Sequence, residues 1–98
     1  MHYKIPKFLF GGEFENLSND ARVLYSILRG CHEQNTENLC TNENGEVYLA
    51  FSRETMCGMT KLSDKTITKA INNLKKYGLI EEERRGQGKP DLIYLLEP

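Results

Sequence analysis

The 98-residue sequence contains no apolar run near the roughly 20 residues that a membrane-spanning helix needs. Its first ten residues include two lysines but no apolar stretch long enough for a secretory signal. No internal repeat, low-complexity tract or linker divides the chain. These absences exclude membrane and repeat proteins, and we expect one cytoplasmic domain over residues 1–98 with a modest core.

Cysteine is also scarce. Cys31, Cys40 and Cys57 are an odd number and form no Cys-x-x-Cys motif, a pattern typical of reduced intracellular thiols. A zinc site would need His32 as a fourth ligand, and adjacent ligands on a helix diverge in direction. The sequence therefore predicts no metal site.

Motifs for catalysis are absent as well. Neither His2 nor His32 stands in a pattern with Ser, Cys or carboxylate residues that suggests a triad, and no metalloprotease motif is present. The pair Gly86-x-Gly88 lies in a predicted hairpin and not at a strand-to-helix turn, so it is no nucleotide-binding fingerprint. We expect neither enzyme activity nor a cofactor.

Charge is distributed unevenly along the chain. The formal net charge is −1, which argues against a purely electrostatic nucleic-acid binder. Residues 1–60 hold five basic and eight acidic residues, whereas residues 61–98 hold eight basic and six acidic ones. Basic character is therefore concentrated in the last part of the chain.

The first helix is predicted over residues 18–32, after an irregular arm of sixteen residues. Ser18 is a good N-cap, and Asp20 lies in the first turn, where the helix dipole favours negative charge. Apolar residues recur at helical spacing at Ala21, Leu24, Leu28 and Cys31. This helix should bury one face.

A loop, a strand and a short helix follow. Residues 33–45 are polar and contain the turn-forming pair Asn44-Gly45, so they are predicted to be a loop. The apolar and aromatic run Val47–Phe51 suits a strand. Ser52 can cap a short helix that continues to about Met59.

The clearest helix begins after Ser63, because every terminus signal agrees there. Ser63 is the predicted N-cap, and Asp64 complements the helix dipole. Lys75 and Lys76 occupy the last turn, and Gly78 is the expected stop.

A β-hairpin should follow, formed by residues 79–85 and 91–96 around a glycine-rich tip. The short turn at residues 60–62 joins the two preceding helices. The order is thus helix, strand, helix, helix and hairpin. It predicts an α+β fold, a winged helix-turn-helix with an N-terminal arm.

The long helix presents a polar face opposite its apolar stripe. At about 100° per residue, the stripe consists of Ile67, Ala70, Ile71 and Leu74. The opposite direction is occupied by Lys65, Lys69, Asn72 and Lys76. An Asn amide matches adenine in the major groove, and lysines match phosphates. A merely solvated face would mix Glu and Lys at i, i+4 spacing, which this face does not.

We therefore predict that this face binds DNA. Residues that flank the row complete the predicted contact surface, namely Lys61, Ser63, Thr66, Thr68 and Asn73.

The hairpin tip is the second predicted contact. Its basic and polar residues are Arg84, Arg85, Gln87 and Lys89. They could lie along a phosphate backbone or reach the adjacent minor groove, and the alternative is a solvated loop. The run Glu81-Glu82-Glu83 weakens the electrostatic case, but strand alternation could turn one or two of these side chains off the DNA.

Several blocks together resemble a known family. They are Tyr3-Lys4-Ile5-Pro6-Lys7-Phe8-Leu9-Phe10, Leu17-Ser18-Asn19-Asp20-Ala21, Asn44-Gly45-Glu46-Val47-Tyr48, Gly78-Leu79-Ile80-Glu81, Gly86-Gln87-Gly88-Lys89-Pro90 and Ile93-Tyr94. The chain is similar to the amino-terminal domain of the plasmid replication initiators called RepA_N. The opening arm and the Gly-x-Gly-Lys-Pro tip are specific in combination.

The resemblance implies a domain that recognises repeats in a replication origin, as a homodimer on double-stranded DNA. It also implies a longer parent protein that contacts host replication proteins through regions outside these residues. The arm carries the apolar side chains of Tyr3, Ile5, Phe8 and Phe10, and Pro6 forbids helix at Ile5. Such an arm packs either on its own domain or on a partner subunit.

Two other functions fit the same residues. A transcription regulator uses the same docking geometry, and only its target sites would differ. A winged helix used for protein interaction or oligomerisation would suit the acidic net charge and the aromatic arm. That third possibility predicts no DNA binding, even at low salt.

Overall fold

The elements of the fold lie in the order that the sequence predicts, with one additional strand. A computed structural model describes residue 9 and residues 11–34, 39–86 and 89–96. The elements are a 3-10 turn at Gly12–Phe14, α1 (Asn19–Glu33), β1 (Leu39–Thr41), β2 (Val47–Phe51), α2 (Arg53–Thr60), α3 (Asp64–Lys76), β3 (Ile80–Glu83) and β4 (Asp91–Leu95). Most of the predicted arm, including Tyr3, Ile5, Phe8 and Phe10, lies outside the described residues, as does Gln87.

Helix α1 begins where the predicted cap places it. Oγ of Ser18 accepts a hydrogen bond from the backbone N–H of Ala21 at 3.1 Å, which satisfies one of the free donors of the first turn. Arg22 ties the preceding segment to this helix. Its Nε donates to the carbonyl of Leu9 at 3.1 Å and its Nη2 to that of Phe14 at 3.0 Å. The described end of the arm is therefore held on its own domain.

The four strands form one antiparallel sheet in the order β1-β2-β4-β3. Leu49 pairs with Ile93 at the centre, and both side chains are fully buried. Because side chains alternate along a strand, one face of the sheet packs on the helices while the other faces away. Helix α3 contacts α1, α2 and β3, so it lies at the centre of the fold.

The prediction of a loop over residues 33–45 is wrong at Leu39–Thr41, which forms β1. The side-chain oxygen of Asn42 accepts hydrogen bonds from the backbone N–H groups of Asn44 and Glu46, each at 2.9 Å. Gly45 adopts a φ of +80°, which glycine tolerates and which completes the turn. The Asn-Gly turn signal is thus the tip of a hairpin whose first strand is too short to show alternation.

Helices α2 and α3 are joined as a helix-turn-helix. Ser52 caps α2, because its Oγ accepts a hydrogen bond from the backbone N–H of Thr55 at 3.0 Å. Ser63 caps α3 in the same way, by accepting from the N–H of Thr66 at 3.2 Å. The connecting turn begins at Lys61, whose φ of +64° ends α2. The hairpin β3–β4 follows α3 directly. The α+β class and the order of a winged helix-turn-helix are confirmed.

Helix α3 ends in a Schellman motif. The N–H of Leu79 donates to the carbonyl of Leu74 at 3.0 Å, and that of Gly78 donates to the carbonyl of Lys75 at 3.1 Å. Gly78 has a φ of +71°, a conformation that is strained for other residues. The predicted glycine stop is confirmed, and it turns the chain into β3.

No helix among the described residues has both the length and the apolar character needed to cross a bilayer.

Gly78→Ala and Gly58→Ala should have opposite effects on stability. An alanine at position 78 would have to adopt the left-handed conformation, at a cost of about 1–2 kcal/mol. Gly58 lies within α2, where an added Cβ meets nothing within 4 Å, so alanine should stabilise the helix by about 0.5–1 kcal/mol. Urea unfolding of both variants measures this difference, and stabilisation by Gly78→Ala would contradict it.

Candidate nucleic-acid interface

The predicted polar face of α3 stands clear of the core. The apolar stripe is almost completely buried, at 0–1% exposed for Ile67, Ala70, Ile71 and Leu74. On the opposite side, four side chains are exposed, and we call them the α3 basic row: Lys65, Lys69, Asn72 and Lys76. Because the apolar stripe faces the core, the α3 basic row on the opposite side of the helix faces solvent.

The residues that flank this row hold the helix in place. Asn73 is half-buried, and its Oδ1 accepts a hydrogen bond from the backbone N–H of Ser18 at 2.8 Å. Thr68 is half-buried and donates from Oγ1 to the carbonyl of Asp64 at 3.1 Å. The hydroxyl of Ser63 donates to that of Thr66 at 2.9 Å, within the N-cap. These predicted contact residues therefore have structural partners in addition to any role toward DNA.

The remaining predicted contacts lie on the turn and the hairpin. Lys61, Arg84, Arg85 and Lys89 are all exposed. Gly86, between the wing arginines and Lys89, adopts a φ of +107°. We call the described part of the hairpin tip, residues 84–86 and 89–90, the wing. Every basic side chain of the wing is within reach of solvent.

Arg53 is an important residue that the sequence did not reveal. It is the first residue of α2, and its Nε donates to Oδ2 of Asp91 at 3.0 Å. Its Nη2 donates to Oε2 of Glu82 at 3.1 Å, and its Nη1 to Oγ1 of Thr68 at 3.3 Å. One guanidinium therefore joins α2 to α3, β3 and β4. The partners lie 15, 29 and 38 positions along the chain, so no local pattern could have connected them.

The three consecutive glutamates of β3 divide between the two faces of the sheet. Glu82 faces the helices, with a side chain only 3% exposed, while Glu81 and Glu83 are exposed. Nζ of Lys75, on α3, lies 3.8 Å from Oε1 of Glu82. The most inward carboxylate is thus balanced by Arg53 and Lys75, and the other two lie on the sheet face away from the helices.

Burial raises the pKa of Glu82 above its ordinary value of 4.5. The neighbouring carboxylate of Asp91 raises this pKa further, whereas the positive charges of Arg53 and Lys75 lower it. Desolvation outweighs these cations, so the folded chain binds a proton here more readily than an exposed glutamate does.

Comparison with known proteins identifies the family to which this chain belongs. A family model described as the replication initiator protein A (RepA) N-terminus matches residues 1–97. The chain belongs to this RepA family. The resemblance inferred from the opening arm, the Asn-Gly turn and the wing tip is confirmed.

Solved structures agree with this assignment. A structure described as "N-Terminal domain of DNA binding protein" and another described as "Structure of Rep-DNA complex" each superpose with a TM-score of 0.82 at 32% identity. Each alignment covers 100% of the present chain and 76% of the chain in the solved structure. A third, "Structure of MDR initiator", gives a TM-score of 0.79 at 27% identity, over 100% and 78% of the chains. No curated protein matched the chain.

Asn73→Ala should destabilise the fold more than Asn72→Ala does. Asn73→Ala removes the hydrogen bond to Ser18 N–H and should lower the free energy of unfolding by about 1 kcal/mol. Asn72 is exposed, so its replacement should change stability by no more than about 0.5 kcal/mol. Equal losses in urea unfolding would contradict the structural role of Asn73.

Glu82→Gln should change the dependence of stability on pH. Because the pKa of Glu82 is raised in the folded state, ionisation of this group costs stability as the pH rises from 4.5 through the raised value. Glutamine has no proton to lose. The free energy of unfolding of Glu82→Gln, relative to the unmodified chain, should therefore increase over that interval.

Urea unfolding at a series of pH values measures this difference. Glu81→Gln is the control, because it removes the same charge from an exposed position of the same strand. A relative stability of Glu82→Gln that stays constant or falls as the pH rises would contradict the raised pKa.

Proposed function

We propose that this chain is the DNA-binding domain of a replication initiator and that it binds repeated sequences of a replication origin. The observation that carries the proposal is the α3 basic row, which is exposed along its length and has no acidic residue between Lys65 and Lys76. Membership of the RepA family and the likeness to a structure of a Rep-DNA complex support the same function.

Helix α3 would read sequence in the major groove. The lysines of the α3 basic row would contact phosphates, which position the domain but carry no sequence information. The side-chain oxygen of Asn72 can accept a hydrogen bond from N6 of adenine while its amide nitrogen donates to N7, which makes a bidentate pair. Asn72 is therefore the residue of the row best suited to base recognition.

The wing would add backbone contacts beside α3. Arg84, Arg85 and Lys89 are exposed there, and they match a phosphate backbone or the adjacent minor groove. The proposed activity is DNA binding and not catalysis. We propose that the chain acts in the cytoplasm, where it binds the replication origin directly.

A homodimer would suit this mode of binding. Two copies would place two α3 helices on two half-sites or repeats, which compensates for a domain whose net charge is only −1. Host replication proteins would then contact other regions of the initiator.

Binding to a fluorescent duplex of origin repeats, compared with a scrambled duplex, tests this proposal. We expect preference for the repeats and a steep loss of affinity with salt. Lys69→Ala/Asn72→Ala should weaken specific binding by about 1–3 kcal/mol for the base contact alone and should reduce the salt slope by about one phosphate contact.

Arg29→Ala is the matched control. It removes one positive charge from α1, on a helix that does not belong to the proposed interface, so the affinity should change little. Failure of the unmodified chain to bind either duplex at low salt would overturn the proposal in favour of a protein-interaction module. Equal affinity for both duplexes would overturn recognition of origin repeats.

A further inference from the structure

We propose that Arg53 is a positioning residue that fixes the wing against α3, so that both contact DNA as one preorganised surface. This inference rests on the proposed function and adds to it a largely buried residue that lies behind the proposed DNA-binding surface. Arg53 itself is not proposed to contact DNA.

The position of Arg53 allows this role. Its side chain is 18% exposed and meets two carboxylates that are 3% and 8% exposed, Glu82 and Asp91. Glu82 is the third residue of β3, and Asp91 is the first residue of β4. Arg53 therefore holds the hairpin on both strands, next to the point where the chain leaves the sheet to form the wing.

The same side chain reaches α3. Nη1 of Arg53 donates to Oγ1 of Thr68, which lies one residue before Lys69 of the α3 basic row. At the base of the wing, α3 is thus joined to strands β3 and β4 by a hydrogen-bonded network through Arg53. Lys75 adds a longer ion pair to Glu82, at 3.8 Å.

Only an arginine can make this connection. A guanidinium is a planar fork with five N–H donors, and here it uses three nitrogen atoms to reach three partners on three elements. Lysine keeps the charge but has a single nitrogen atom, so it cannot reach Thr68, Glu82 and Asp91 in this geometry. Arg53→Lys therefore removes the connection while the net charge stays the same.

The consequence for DNA binding is preorganisation. A wing that is already fixed does not have to be ordered when DNA binds, so its contacts contribute their full energy. Without the guanidinium of Arg53, the carboxylates of Glu82 and Asp91 would no longer be held by one group. The wing would then lose its fixed direction relative to α3, and its basic side chains would contribute less.

A double-mutant cycle tests this coupling. The wing variant Arg85→Ala/Lys89→Ala removes two exposed charges that lie outside the Arg53 network. In the unmodified chain it should weaken binding to the origin-repeat duplex on the order of tenfold or more at about 0.1 M salt, given the counterion release per phosphate. In the Arg53→Lys background, the same wing variant should weaken binding by a clearly smaller factor.

Lys69→Ala supplies the matched control cycle. Lys69 lies on α3 itself, so its contact does not depend on the position of the wing. Its replacement should weaken binding by the same factor in the unmodified chain and in the Arg53→Lys background. A wing variant whose effect is also the same in both backgrounds would overturn the proposal.

Hydrogen exchange of the free chain gives a second readout that does not need DNA. Arg53→Lys should speed amide exchange in β3 and β4 and leave α1 unchanged. Unchanged exchange in the hairpin would overturn the proposal even if binding fell. If the unmodified chain binds no DNA, the proposed function fails, while exchange still decides whether Arg53 fixes the hairpin.

Asp91→Asn provides a milder variant for both experiments in case Arg53→Lys does not fold. It keeps the shape of the partner and weakens one of the charge-assisted hydrogen bonds to Arg53. The same reduced effect of the wing variant, and the same faster exchange in β3 and β4, are expected in this background.

Discussion

Burial of the apolar stripe of α3 is the interaction on which the rest of the structure depends. Ile67, Ile71 and Leu74 are completely buried, and each such side chain contributes about 1.5–3 kcal/mol when it leaves water. Helix α3 packs on α1, and it also contacts α2 and β3. Because the stripe determines the rotation of α3 about its axis, it also determines that the α3 basic row faces outward. Core packing and the proposed DNA surface are two sides of one helix.

A polar network, by contrast, connects this helix to the two strands at the base of the wing. Arg53 joins Thr68 on α3 to the carboxylates of Glu82 and Asp91 at the end of the hairpin. Largely buried ion pairs add little net stability compared with apolar packing, but here three directional bonds from one planar group restrict how the joined elements can be arranged. In the proposed binding mode that property is useful, because two separate basic surfaces would have to face one duplex.

The charge distribution reconciles a net charge of −1 with DNA binding. Glu82 is buried against Arg53 and Lys75, and it does not face solvent. Glu81 and Glu83 are exposed on the opposite face of the sheet from the helices. The exposed negative charges of β3 thus lie on the sheet face away from the helices, and the inward charge of Glu82 is paired with Arg53 and Lys75. For this fold, net charge is a poorer guide to function than the position of each charge.

The sequence by itself determined the helices, their caps and the outward row of α3. Ser18, Ser52 and Ser63 cap through atoms three residues away, and the α3 stripe repeats within two turns, so these features depend only on neighbours along the chain. Only the tertiary structure decided that Leu39–Thr41 is a strand and that Arg53 connects four elements. A three-residue strand gains its stability from a partner strand, and Arg53 meets groups up to 38 positions away. Contacts of that range leave no periodic signal in a single sequence.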